Sequence, residues 1–199
     1  MNDSAPSLEP SIMIALLAAG GATRFGGSKL ARTLADKPLW QWAANTAVAA
    51  GFVQKVCIIC DGWAPAREMQ TLGWSVVVNR DAEAGIASSI KLACTAAAAN
   101  GRLVIALADM PFVTSDHLRA LALSNEVAFT RYPSGHIGVP AAFPHQAFRK
   151  LSMLEGDRGA AGRDWGPGLV AIAPASPDTL IDVDTREDLD CARTMLARR

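Results

Sequence analysis

Apolar residues in this chain gather into short continuous runs set apart by polar stretches marked with glycine and proline. Runs of this kind cover residues 12–18, 55–60, 74–78, 103–108, 127–130, 169–173 and 180–183. Each is too short for a core helix and is not split into alternating polar and apolar positions, which is the pattern of a strand buried on both faces. Helix-like stretches lie between the early runs. Pro38 suits a first helical position, and residues 39–50 then run to a stop at Gly51. Residues 85–99 are rich in alanine and end at Asn100-Gly101, and Ser115 is placed to cap a helix over 116–123. Near the end, Asp184 or Thr185 caps a last helix with Glu187 and Asp188 in its first turn and Arg198-Arg199 at its close.

Strands alternating with helices predict a three-layer, doubly wound α/β fold around a mostly parallel sheet. Ligands of such sheets bind outside the carboxyl ends of the strands. Residues 1–10 are polar and read as a flexible tail with no leader character, and 11–199 read as a single domain. The segment 131–168, rich in Gly, Pro and His with weak periodicity, is expected to be an acceptor-side insertion over the carboxyl edge.

Composition narrows the partners. Half of the 199 residues are hydrophobic and the formal net charge is zero, so no clustered basic field points to nucleic acid. No apolar run approaches the ~20 residues of a membrane span. Of the four cysteines, Cys57 and Cys60 form a C-x-x-C, but three positions apart on a strand they point to opposite faces, and no second pair completes a zinc site. Free thiols in a cytoplasmic protein are expected. His117 and His145 have no partner spacing and the five tryptophans read as packing.

The chemistry begins where the first apolar run stops. Residues 17–30 read Leu-Ala-Ala-Gly-Gly-Ala-Thr-Arg-Phe-Gly-Gly-Ser-Lys-Leu. Glycine lets backbone amides close around an anion, and Arg24 and Lys29 supply positive charge, so the loop reads as a phosphate cradle. It is not a P-loop, because Gly27 stands where the lysine belongs, and it is not G-x-G-x-x-G, which counts against a nicotinamide-dependent oxidoreductase. A generic glycine-rich turn is the plainer reading.

Two acidic segments follow. The run 103–108 delivers Asp109 to a strand end, where Pro111 forces the chain out of regular structure. Mg²⁺ favours few carboxylates plus substrate phosphates, so Asp109 is a suitable anchor; its other reading is a cap of the next turn. In Asp182-Val183-Asp184-Thr185-Arg186-Glu187-Asp188-Leu189, alternation puts Asp182 and Asp184 on one face beside the helix cap. Residues 79–90 read as a helix start carrying the hydroxyls of Ser88 and Ser89, and Gly156-Asp157-Arg158-Gly159 as a polar turn.

Taken together, Leu-Ala-Ala-Gly with its Arg24, Gly26 and Lys29, Asp109-Met110-Pro111, and the closing Asp-x-Asp-Thr-x-Glu-Asp-Leu resemble the molybdenum-cofactor-type nucleotidyltransferases over nearly the whole chain. The resemblance implies a Rossmann-like fold of the nucleotide-diphospho-sugar transferase type. It implies a nucleotide site at Ala18, Ala19, Gly20, Gly21, Arg24, Gly26, Gly27, Lys29, Ser88 and Ser89, with Arg24 and Lys29 as catalytic cations. Asp109 and Asp184 would hold Mg²⁺ (or Mn²⁺), with Asp182 set behind them, and Asp157 and Arg158 would face the acceptor. Ala19 resembles the cytidylyltransferase branch, so CMP transfer from CTP to molybdopterin is expected, with transient contact to a molybdoenzyme or its chaperone. The stretch Gly135-His136-Ile137-Gly138-Val139-Pro140 departs from the family's Gly-His-Pro. A sugar-phosphate or isoprenoid-precursor-phosphate transferase and a non-catalytic nucleotide-binding module are the alternatives.

Overall fold

The computed structural model of the chain describes residues 6–20 and 29–198. In chain order its elements are β1 (Ile12–Ala18), the two-residue strands β2 (Thr33–Leu34) and β3 (Lys37–Pro38), α1 (Leu39–Ala49), β4 (Gln54–Cys60), α2 (Ala66–Thr71), β5 (Ser75–Asn79), α3 (Ile86–Ala96), β6 (Arg102–Leu107), α4 (Ser115–Ala122), β7 (Ala128–Arg131), β8 (Ile137–Pro144), α5 (Phe148–Leu151), β9 (Val170–Ile172) and α6 (Arg186–Leu196). One seven-stranded sheet has the order β5-β4-β1-β6-β8-β7-β9. The strands β5, β4, β1 and β6 pair in parallel, β7 and β9 do likewise, and β8 runs antiparallel to both its neighbours.

Every residue of β1 is buried, because helices cover both faces of the sheet at its centre. Ile12, Ile14 and Leu16 pack with Trp40 of α1, Leu121 of α4 and Leu189 of α6. Met13, Ala15 and Leu17 point the other way and pack with Ile90 of α3 and Leu151 of α5. These two apolar layers are the three-layer architecture that the continuous runs imply. Cys57 lies fully inside the first layer with its neighbours Val56 and Ile58 in the second, Cys60 at the end of β4 touches both layers, and all four cysteines are free.

Two expectations are corrected. The segment 131–168 does not lie wholly over the carboxyl edge, since β8 runs through the middle of the sheet. Its pattern is hidden because Phe129 pairs with Ala141 but Thr130 pairs with Gly138, leaving Val139 and Pro140 bulged out of the ladder. Residues 180–183 form no strand; a 3-10 turn over Pro177–Leu180 leads into extended chain. Val183 is buried like a strand residue, and its amide donates to the Asp109 carbonyl at 3.0 Å. Helix ends shift by a residue or so. Pro38 is the residue before α1, Thr114 rather than Ser115 caps α4, and α6 starts from a capping box of Thr185 with Asp188. The short helices α2 and α5 carry no signal that the apolar pattern exposes.

Candidate active site

The carboxyl ends of β1 and β6 lie side by side, tied by the Ala108 amide donating to Leu17 O at 3.1 Å. Chain leaving β1 supplies Ala18, Ala19 and Gly20, and chain leaving β6 supplies Asp109. Both line a cavity of about 320 Å³, with Lys29, Asp157, Asp182, Asp184, Gly85 and Ser89 among the other lining residues. Gly21, Arg24, Gly26 and Gly27 lie outside the described residues.

Lys29 stands at the centre of the charge. Its Nζ is 2.7 Å from Asp109 Oδ2 and 2.6 Å from Asp184 Oδ1, and its side chain is 10% exposed. Burial alone would lower its pKa, but attraction and hydrogen bonding to Asp109 and Asp184 outweigh that and leave it raised. Asp182 completes the group: one carboxylate oxygen from each of Asp109, Asp182 and Asp184 lies within 4.8 Å of the others. Desolvation, then repulsion from Asp109 and Asp184, push the Asp182 carboxyl up to about 7 against the opposing pull of Lys29. Asp109 and Asp184 pair with the ammonium, and Asp182 is crowded against them. Asp109 Oδ1 is buried and has no hydrogen-bond partner among the described residues, a position that suits a hard cation. Tyr132 lies nearby. Its hydroxyl donates to Val139 O at 2.6 Å, and burial followed by the charges of Asp182 and Asp109 push it up to about 12.

The two serines read from the helix start separate. Ser89 is buried and lines the cavity. Ser88 faces a neighbouring hollow, and its hydroxyl donates to Gly85 O at 2.7 Å. Asn79, the last residue of β5, organises both: its amide nitrogen donates to Ser88 Oγ at 2.8 Å and Ser89 Oγ at 2.9 Å, while its oxygen accepts from the Asp81 amide. Both amide protons are therefore used on hydroxyl oxygens, which leaves the Ser89 proton available to the cavity. Sequence reasoning passed over Asn79, although a polar residue closing an apolar strand is the same signal that singled out Asp109. It also ranked Asp182 behind Asp184, whereas the structure gathers all three aspartates. Asp157 and Arg158 part company. Asp157 borders the 320 Å³ cavity and a second one of about 530 Å³, while Arg158 lines only the second, together with Arg163.

A mostly parallel α/β sheet with an acidic cluster, a lysine and a glycine-bearing loop start at its carboxyl edge defines a Rossmann-like protein of the nucleotidyltransferase type. The chain belongs to the family of the MobA-like NTP transferase domain, whose profile matches residues 14–166. Purine catabolism protein PucB of Bacillus subtilis is 30% identical over 206 residues, covering 94% of this chain and 98% of that protein. Rv0371c of Mycobacterium tuberculosis, solved in complex with manganese, is similar at 25% identity over 92% of this chain and 97% of its own, with a TM-score of 0.70. A nucleotidyl transferase from Methanothermobacter shares the fold at 19% identity and a TM-score of 0.81, over 94% of this chain and 98% of its own.

Proposed function

We propose that the protein transfers CMP from CTP to a phosphorylated small-molecule acceptor, molybdopterin, with release of pyrophosphate. The observation that carries this reading is Lys29 held between Asp109 and Asp184 beside the Ala18–Ala19–Gly20 turn. A lysine and a carboxylate cluster on one wall suit a triphosphate and its counter-cation. Membership in the family supports nucleotidyl transfer, and the Leu-Ala-Ala-Gly turn, similar to the cytidylyltransferase branch, supports CTP.

The residues present fit a divalent metal. The donor set is all carboxylate oxygen, and the buried Asp109 Oδ1 has no hydrogen-bond partner among the described residues. Asp109 and Asp184, with Asp182 beside them, would hold Mg²⁺ or Mn²⁺, which would supply charge neutralisation for the α-phosphate and the leaving pyrophosphate. The manganese complex of Rv0371c supports that choice of ion class. Lys29, on the wall of the same cavity, would balance the charge that builds on pyrophosphate as an acceptor phosphate oxygen attacks the α-phosphorus in line. Arg24 shares this work. Ser89 donates its hydroxyl proton into the cavity, and Arg158 serves the acceptor. The four free thiols suit the reducing cytoplasm, where a molybdoenzyme or its chaperone would receive the product.

The test is pyrophosphate release from each of the four nucleoside triphosphates, with Mg²⁺ and with molybdopterin, a sugar phosphate or an isoprenoid-precursor phosphate as acceptor. Release with CTP and molybdopterin is the expected result. Release only with another acceptor redirects the assignment within the same chemistry, and tight nucleotide binding without release from any pair overturns catalysis.

A further inference from the structure

Gly85 and Gly156 meet backbone to backbone, although they belong to separate parts of the chain. Gly85 has φ 94° and ψ 176°, a conformation that essentially only glycine adopts. A Cβ at Gly85 would lie 2.4 Å from the carbonyl carbon of Gly156 and 2.5 Å from Asp157 Oδ1. The contact is closed by a hydrogen bond, the Ala87 amide at the start of α3 donating to Gly156 O at 3.1 Å. Two glycines and one hydrogen bond thus press the next residue, Asp157, against the rim of the cavity that also holds Lys29 and Ser89.

Asp157 is exposed, and among the described residues no hydrogen bond or ion pair engages its carboxylate. A phosphate brought against it would meet like charge in a cavity that already carries Asp109, Asp182 and Asp184 against Lys29. What a carboxylate attracts is a hydrogen-bond donor. A nucleoside triphosphate has such neutral donors only on its nucleoside half, as the amino group of cytosine, guanine or adenine, the ring N–H of guanine or uracil, and the ribose hydroxyls. The other lining residues of this cavity include Ala18, Ala19, Ala82 and Ile86, small or apolar groups that leave room for a flat base.

We infer that Asp157 is a specificity-determining residue on the nucleoside side of the site, accepting a hydrogen bond from an amino or hydroxyl group of the bound nucleotide, with Gly85 and Gly156 holding it there. This reassigns Asp157 from the acceptor, where the sequence resemblance put it, and rests on the reading that the cavity takes a nucleoside triphosphate.

Calorimetric titration of wild type, Asp157→Asn and Asp157→Ala with CTP, GTP, UTP, 2′-deoxy-CTP and inorganic triphosphate, all with Mg²⁺, tests it. The exposed, unpaired side chain can be removed without loss of the fold, which an unchanged Tm verifies. Asp157→Ala is expected to weaken nucleotide binding by about tenfold, with a smaller loss in Asp157→Asn and no loss for inorganic triphosphate. A loss seen with CTP but not UTP identifies the amino group. A loss shared by CTP and UTP but absent with 2′-deoxy-CTP identifies the ribose 2′-hydroxyl. A loss common to all nucleotides identifies the remaining sugar hydroxyl. Unchanged affinity for every nucleotide, or an equal loss for inorganic triphosphate, overturns the inference. Wild-type protein that binds no nucleotide more tightly than inorganic triphosphate overturns the functional reading itself, a separate result.

Discussion

Lys29 Nζ sits 2.7 Å from Asp109 Oδ2, so the site's own lysine neutralises the carboxylate expected to anchor a metal. The two residues reach this contact from different strand ends. A divalent cation held by Asp109 and Asp184, as proposed, would share its carboxylates with Lys29.

Lys29→Ala is expected to lower kcat by about 10²-fold or more, with a smaller change in KM. In the proposed reaction the charge that Lys29 would balance grows on the leaving pyrophosphate in the transition state, so its loss should be felt there more than in ground-state binding. Steady-state kinetics of pyrophosphate release measure this. A change confined to KM would remove Lys29 from the chemical step.

Thermal unfolding with and without Mg²⁺ or Mn²⁺ tests the acidic cluster. Wild type should gain Tm with millimolar metal, because binding to the native state alone stabilises it. Asp109→Asn should lose that gain, and Asp184→Asn should lose most of it. Asp182→Asn should raise the Tm of the metal-free protein, since it removes one of three crowded acidic groups beside Lys29. A metal-free Asp182→Asn protein less stable than wild type would contradict that balance.

His117 predicts a pH dependence away from the site. It is buried on α4, and its Nε2 lies 2.8 Å from Thr130 Oγ1, whose own proton is donated to Pro140 O. Nε2 is therefore the donor, which fits a neutral ring. Burial lowers its pKa below the ordinary 6.5. The unfolded chain then binds more protons than the native one just below that value, so stability is full above about pH 6.5 and falls as pH drops below it. Urea unfolding from pH 7.5 to 5 should show this decline, and His117→Gln should flatten it.

Thiol accessibility follows from burial. Cys57 and Cys94 are buried, and desolvation pushes Cys57 up and Cys94 up to about 12, so neither offers thiolate at neutral pH. Cys191 is exposed on α6. A colorimetric thiol reagent applied to the native protein should modify Cys191 first and leave Cys57 and Cys94 unreacted until the protein is denatured. Fast modification of Cys57 in the native state would contradict its place in the core.

The strands of the parallel half, the helices α1, α3, α4 and α6 and the position of Asp109 are all legible in the sequence alone. Each of these depends on whether a residue is buried and where an element ends, and both leave their mark in local pattern and capping residues. Ser89 and Lys29 could be proposed on the same footing. The tertiary structure decided the rest. It placed β8 in the sheet despite a bulge at Val139 and Pro140 that breaks the pattern, drew Asp182 in with Asp109 and Asp184, turned Ser88 away from the cavity, and brought Asp157 to the rim through Gly85 and Gly156. These outcomes depend on which distant segment packs against which. A chain's local pattern records that a residue is covered, but long-range packing chooses what covers it.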